Sequence, residues 1–289
     1  MIDTVRPRRS VLYMPGSNVR AMEKARELPA DALILDLEDA VAPESKELAR
    51  SQVCEAVKAK GFGRREVVVR INALSTTWGE ADLAAAADAK PDAILVPKVS
   101  GRKELLQVEA RLQSVPDVAI WAMIETPLAI FHLAEIASAG GRLACFVMGT
   151  NDLIKEFRGS HTPDRQNLAA PLSLSVAAAR AFGLAVIDGV YNDINNSDGF
   201  YATCVQARAF GFDGKTLIHP SQIGPCNAVF APARDEVEAA RKIIAAFEKP
   251  ENRGKGAIAL DGRMVELLHA EIARRTVALA DAIAALEGR

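Results

Sequence analysis

Several signatures are missing from this 289-residue chain, and each absence narrows the field. No stretch approaches the roughly 20 consecutive apolar residues of a membrane span, and the basic start, MIDTVRPRRSVLYMPG, holds too short an apolar run for a signal peptide. The expected location is therefore the cytoplasm. Charge of one sign does not dominate either. The 35 basic and 37 acidic residues leave a formal charge of −2, which argues against nucleic acid or a membrane surface as partner. The cysteines are Cys54, Cys145, Cys204 and Cys226, with no C-x-x-C spacing. They read as isolated thiols in a reducing compartment. The histidines, His132, His161, His219 and His269, form no H-E-x-x-H or other paired spacing, so a zinc site is not expected. No G-x-S-x-G nucleophile motif, internal repeat or low-complexity segment occurs.

What the chain does have is a recurrence of short apolar runs. They are RSVLYMPG (9–16), ALILDLED (32–39), EVVVRIN (66–72), AILVPKV (93–99), AIWAMIETP (119–127), ACFVMGTND (144–152), LAVIDGVY (184–191) and GKTLIHP (214–220). Each is rich in Val, Ile and Leu and has the length of a strand. Between them lie Ala/Leu/Glu/Lys/Arg segments with helical spacing, such as NVRAMEKAREL. Strand–helix alternation predicts a parallel sheet covered by helices. Eight units predict an α/β (β/α)₈ TIM barrel over residues 1–230. The competitor is an open doubly wound sheet. That fold usually carries a glycine-rich phosphate turn after its first strand, and here the turn is Pro15-Gly16-Ser17 without G-x-G-x-x-G.

Residues 231–289 read as a C-terminal helical extension. A helix is predicted over 233–250, a connector over ENRGKGA and a last helix from roughly 263 to 286. This extension either caps the active face, reaches a neighbouring subunit, or packs as a surface helix pair.

In a barrel, chemistry sits at the C-terminal strand ends. Those ends carry Asp36, Glu38 and Asp39, then Arg70 and Asn72, then Lys98, Glu125, the Gly149-Thr150-Asn151-Asp152 run, Asp188 and His219. Period-two alternation puts Asp36 with Glu38 on one face, and Arg70 with Asn72. Glu125 and Asp152 stand 27 residues apart, about one βα unit, and so on neighbouring strands. Two carboxylates at one rim repel unless a cation lies between them. A magnesium ion, which takes one or two protein carboxylates, meets that need; pairing of Glu125 with Arg70 or Lys98 is the alternative. A lysine at a strand end also admits a Schiff base with a ketone, although such a lysine is more often an ion-pair partner.

Taken together, RRSVLYMPG, LILDLEDAV, VVVRIN, ILVPKV, IETP, GTND, IDGVYND and GKTLIHPSQI resemble the citrate lyase beta subunit family of the HpcH/HpaI aldolase superfamily. That family includes malyl-CoA, citramalyl-CoA and β-methylmalyl-CoA lyases. The resemblance runs from Arg8 through the GKGAIALDGRMVE tail. It implies a Mg²⁺-dependent barrel that makes or breaks a carbon–carbon bond beside a CoA-thioester carbonyl. By motif, Glu125 and Asp152 correspond to the metal ligands, and Arg70 to an arginine near the thioester carbonyl. Asp36, Glu38 and Asp39 correspond to an acidic cluster on strand two. Asn72 shares the arginine's face and joins the substrate set. Backbone N–H groups of Gly149, Thr150 and Asn151 correspond to a carboxylate receptor. Arg9 and Lys24 fall in the region that receives CoA phosphates. The chain departs from the pattern at Glu266, where these lyases usually carry an aspartate in G-x-M-x-D; Asp261 lies nearby. Asn151 also stands where some members have an acid.

The resemblance further implies a homotrimer or hexamer. The leading expectation is a lyase acting on a short 3-hydroxyacyl-CoA such as citramalyl-CoA or malyl-CoA. A thioesterase, a citrate lyase subunit working on an acyl carrier protein, and a regulatory protein without turnover are the alternatives.

Overall fold

The computed structural model of the chain describes residues 5–288. Eight parallel strands close into a barrel in sequential order: β1 (Ser10–Pro15), β2 (Ala32–Asp36), β3 (Glu66–Arg70), β4 (Ala93–Val96), β5 (Ala119–Ile124), β6 (Leu143–Met148), β7 (Ala185–Asp188) and β8 (Gly214–Leu217). β8 returns to pair with β1 through Ser10↔Lys215 and Val11↔Thr216, which closes the ring. The helices that follow the strands are α1 (Val19–Ala25), α2 (Lys46–Ala59), α3 (Gly79–Ala89), α4 (Arg102–Arg111), α5 (Pro127–Phe131), α6 (Leu133–Ala137), α7 (Thr150–Glu156), α8 (Ala169–Ala181), α9 (Ser197–Phe210) and α10 (Ile223–Phe230).

Alternation along the strands decides what the barrel encloses. Val11, Ala32, Ile34, Val68, Ala93, Leu95, Trp121, Met123, Cys145, Val147 and Ile187 form one buried cluster, with Tyr13 packed against it. These are the inward positions of a filled barrel interior. Two further residues along each strand, the same parity brings Asp36, Arg70, Glu125 and Gly149 to the inward side of the C-terminal rim. At the other end Arg8 closes the floor. Its guanidinium lies 5.1 Å above the Trp121 ring and donates from Nε to Glu66 Oε2 at 2.6 Å.

The chain divides into two compact units, with Arg8–Asn227 forming the barrel and the second unit taking up the chain again at Ala228. In that second unit α11 (Arg234–Glu248) packs against α12 (Leu267–Glu287). Between them runs an antiparallel hairpin of β9 (Ala257–Leu260) and β10 (Arg263–Glu266). Ala246, Phe247, Ile258, Val265 and Ala270 supply its buried core. The hairpin corrects the expectation of an irregular connector followed by a helix from 263. Its two-residue turn is Asp261-Gly262, with φ of 49° and 76°. Both values lie in the left-handed region that a tight hairpin turn requires, and Asp-Gly between apolar alternation is the sequence that adopts it.

Candidate active site

The rim is organised around Arg70. β2 and β3 pair in register so that Asp36 stands opposite Arg70. Arg70 donates from Nε to Asp36 Oδ1 at 2.6 Å and from Nη2 to Asp36 Oδ2 at 2.7 Å. This is the bidentate fork that guanidinium and carboxylate make best. The remaining nitrogen, Nη1, lies 2.9 Å from Glu38 Oε2 and 3.5 Å from Asp39 Oδ2. The guanidinium also sits 4.8 Å over the Tyr13 ring. Burial opposes the charge on Arg70, but Asp36 and the other acids outweigh it and hold the pKa well above the usual arginine value. Asp36 is itself fixed, accepting from the backbone N–H groups of Glu38 at 2.9 Å and Ala40 at 3.0 Å. Glu38 has a different character. Burial pushes its pKa up to about 8, and the nearby Arg70 only partly offsets this. It therefore holds a proton near neutral pH beside a fixed cation.

Across the mouth, Glu125 follows β5 and Asp152 lies in the first turn of α7, after β6. Asp152 is thus a helix residue beside its strand, where the sequence placed it at the strand end. Glu125 is fully buried. Its Oε1 accepts the Lys98 backbone N–H at 2.7 Å, whereas Oε2 has no hydrogen-bond partner. The Lys98 ammonium lies 2.7 Å from Asp152 Oδ2 and 3.5 Å from Glu125 Oε1. Burial raises the Glu125 pKa to about 7 even with that ammonium beside it. Gly149 makes room for the arrangement, since a Cβ there would come within 2.5 Å of Glu125 Oε2.

An unpartnered buried carboxylate oxygen is costly. Here it stands next to a second carboxylate already bridged by a cation. Mg²⁺ binds with one or two carboxylates and completes its shell with water and substrate oxygens, so Glu125 and Asp152 fit it. No group of three or more His, Cys, Asp or Glu side chains gathers as a metal cage among the described residues, consistent with so open a donor set.

Not every residue singled out in the sequence reaches this mouth. Arg9 precedes β1 and lies at the barrel floor. It is buried and donates from Nε and Nη2 to Asp31 at 2.9 and 2.8 Å, so it is removed from the CoA-phosphate set. Asn72 is buried and its amide is spent. Oδ1 accepts from Lys46 Nζ at 2.8 Å, and Nδ2 donates to Leu37 O at 2.8 Å and Asp82 Oδ2 at 2.6 Å. It braces the loop after β2 and offers nothing to a substrate. Asn151 is exposed and exchanges amide hydrogen bonds with Asn192. Thr150 is buried as the first residue of α7, and Lys24 is exposed in the last turn of α1. Asp188 has the opposite parity to Ile187. Its carboxylate is held by Lys215 Nζ at 2.7 Å and Arg165 Nη1 at 2.8 Å. Glu266 ends β10 in the second unit, where its backbone N–H donates to His269 Nδ1 at 3.0 Å.

Lys46 was not visible as a site residue, because a lysine opening a helix has no distinguishing pattern. It is buried, and its ammonium donates to Leu37 O at 2.8 Å, Glu38 O at 2.7 Å and Asn72 Oδ1 at 2.8 Å. Burial lowers its pKa against the pull of Asp36 and Glu38. Lys46→Met would leave Asn72 Oδ1 without a donor, at a cost of about 1–3 kcal/mol, whereas Leu37 O keeps Asn72 Nδ2 and Glu38 O keeps the Val41 N–H. The expected loss of stability is about 1–3 kcal/mol, read by urea denaturation; a loss within error of zero would show that water replaces the ammonium.

Comparison with known proteins follows the same lines. The HpcH/HpaI aldolase/citrate lyase family model matches residues 9–220. A protein of Cereibacter sphaeroides named (3S)-malyl-CoA thioesterase is 51% identical over 285 residues, covering 99% of each chain. The citrate lyase subunit beta of Escherichia coli is 35% identical over 269 residues, covering 90% of this chain and 89% of its own. Among solved structures, the CitE protein of Mycobacterium tuberculosis in complex with magnesium, acetoacetate and coenzyme A superposes with a TM-score of 0.74 at 30% identity. That alignment covers 93% of this chain and 97% of the other. By sequence and by its closed barrel alike, this chain belongs to the HpcH/HpaI aldolase/citrate lyase family of enzymes.

Proposed function

We propose that this chain is a magnesium-dependent thioesterase that hydrolyses a short 3-hydroxyacyl-CoA bearing a second carboxylate, of the malyl-CoA type. The observation that carries the reading is the 51% identity, over 99% of both chains, to a protein named (3S)-malyl-CoA thioesterase. The rim geometry supports it.

Arg70 is clamped by Asp36 and stacked on Tyr13, so its guanidinium cannot reorient as charge develops on a substrate oxygen. A donor fixed in this way stabilises an oxyanion without reorganisation. Glu38, with its pKa near 8 and its carboxyl beside Arg70, is the group that exchanges a proton at neutral pH. In its ionised form, which gains population as pH rises toward 8, it takes a proton from the attacking water as the water oxygen bonds to the thioester carbonyl carbon. The C–S bond then breaks, and the departing sulfur receives the proton. Glu125 and Asp152 would hold the magnesium. When bound, the ion supplies Lewis-acid polarisation of substrate oxygens. Lys24 is the remaining cation proposed for the CoA phosphates, and the backbone of Gly149, Thr150 and Asn151 for the substrate carboxylate. A homotrimer or hexamer belongs to the same proposal.

Carbon–carbon cleavage is the second reading, favoured by the 35% identity to a citrate lyase beta subunit. The same Arg70 would then stabilise an acyl-CoA enolate, and Glu266 would be the acid that protonates its carbon.

The products separate these readings. With Mg²⁺ and (3S)-malyl-CoA, hydrolysis releases malate and free CoA in equal amounts without glyoxylate. Acetyl-CoA plus glyoxylate, or acetyl-CoA plus pyruvate from citramalyl-CoA, would instead establish the lyase. Turnover only of an acyl group on an acyl carrier protein would establish a subunit of a citrate lyase complex.

A further inference from the structure

Lys98 has three features that belong together. Its ammonium touches both carboxylates assigned to magnesium, at 2.7 Å from Asp152 Oδ2 and 3.5 Å from Glu125 Oε1. Its own backbone N–H holds Glu125 Oε1 at 2.7 Å. Its φ is 54°, in the left-handed region where a residue with a Cβ is uncommon and persists only when its surroundings impose it. That backbone conformation and the N–H bond are found at one and the same residue. The N–H pins one oxygen of Glu125 while the side chain lies over the carboxylate pair.

Glu125 and Asp152 at one rim carry two negative charges when ionised, and Glu125 is wholly buried. Burying such a pair without a counter-charge is strongly unfavourable. Lys98 removes one unit of that charge within the ion pair. An ammonium, though, cannot satisfy every acceptor at once, and Glu125 Oε2 is left without a hydrogen bond.

We propose that Lys98 is a resident counter-cation whose ammonium bridges Glu125 and Asp152 in the metal-free protein and is displaced when a divalent cation binds, so that metal loading is an exchange of one cation for another. Lys98 thereby acts as a positioning residue. Its backbone N–H keeps Glu125 oriented in both states, and its side chain sets the threshold that an incoming ion has to exceed. This rests on the reading of Glu125 and Asp152 as the metal ligands.

Removing the ammonium while keeping the side chain's length and the backbone N–H therefore has two opposite effects. Lys98→Met should bind Mg²⁺ about tenfold more tightly, a size within the range for groups sharing one ion-pair network. The same variant in EDTA should melt at a lower temperature than the wild type. Lys98→Arg keeps the charge and should gain no affinity. The probe is MgCl₂ alone, titrated by calorimetry at pH 8.5 so that Glu125 is ionised, alongside thermal melts in EDTA. A side chain that serves only packing would lower both quantities in Lys98→Met, and unchanged or weaker Mg²⁺ binding in that variant overturns the exchange. A wild type that takes up no Mg²⁺ overturns the exchange and the metal-site reading together, whereas wild-type binding without tightening in Lys98→Met overturns the exchange alone. Should Lys98→Met not fold, Lys98→Gln carries the same expectations.

Discussion

Replacing Arg70 with lysine should lower kcat/KM for malyl-CoA hydrolysis by about 10²–10³-fold, the cost of losing one preorganised oxyanion donor. The protein keeps a positive charge in this variant, so the large effect comes from geometry. The Arg70 guanidinium uses two nitrogens on Asp36, at 2.6 and 2.7 Å, and still presents Nη1 to Glu38 at the mouth. A lysine ammonium is a single point charge without that planar fork, so it can satisfy Asp36 or the mouth but not both in fixed geometry. Magnesium affinity should stay near the wild-type value, because Arg70 contacts neither Glu125 nor Asp152 directly. Activity within threefold of wild type would remove Arg70 from the reacting centre. Arg70→Ala is a poorer test. It would leave Asp36, 0% exposed, and Glu38, 8% exposed, without their cation. Breaking a buried pair from one side costs about 3–5 kcal/mol and threatens the fold itself.

Magnesium affinity should fall as pH drops below about 7, the pKa to which burial raises Glu125. A metal ligand has to be deprotonated, so below that point each pH unit should weaken binding about tenfold. Glu125→Gln should abolish saturable binding and, with it, turnover.

The stability of the metal-free protein follows the same proton. Glu125 and Glu38 have folded-state pKa values of about 7 and about 8, both raised above the ordinary carboxylate value of 4.5. The folded state therefore binds protons that the unfolded chain has already released. The stability this confers is fully present below the unfolded value and is lost as pH rises, to about 7 for Glu125 and to about 8 for Glu38. Each group contributes a slope of about 1.4 kcal/mol per pH unit within its window. Melts in EDTA from pH 5 to 8 should show this decline, and Glu125→Gln should roughly halve its slope up to pH 7, leaving the part that Glu38 contributes. A wild-type profile that rises with pH over that window would contradict the raised pKa values, and pH-independent magnesium binding between 5 and 8 would remove Glu125 as a ligand.

The barrel was legible because its signals are local. Eight apolar runs, each with helical sequence behind it, need only a window of about ten residues to be seen. The hairpin at 257–266 was equally local, and Asp261-Gly262 marked it. The two glycines of the preceding ENRGKGA carry a competing connector signal.

The site divides along a different line. Glu125, Arg70 and Asp36 could be placed at one rim because strand ends and period-two parity are properties of the chain, whereas the seat of Asp152 in the first turn of α7 follows from neither. Arg9, expected from the family motif, and Asn72, expected from its parity with Arg70, both lie away from the mouth. Proximity in sequence to a rim motif says nothing about which partner a side chain finds. Arg9 meets Asp31 at the floor, and Asn72 meets Lys46, Leu37 and Asp82 behind the rim.

The amino-acid order by itself therefore determined the strand count, the parity of each strand and the residue types available at the barrel's C-terminal end, since all three depend on spacing along the backbone. Tertiary structure alone decided the pairings: Asp36 facing Arg70 in register, Lys98 lying between two carboxylates, and Glu38 desolvated enough to keep a proton near neutral pH. Those outcomes depend on which charges converge once the ring closes and how much water is driven out between them, and neither is a property of any single stretch of chain.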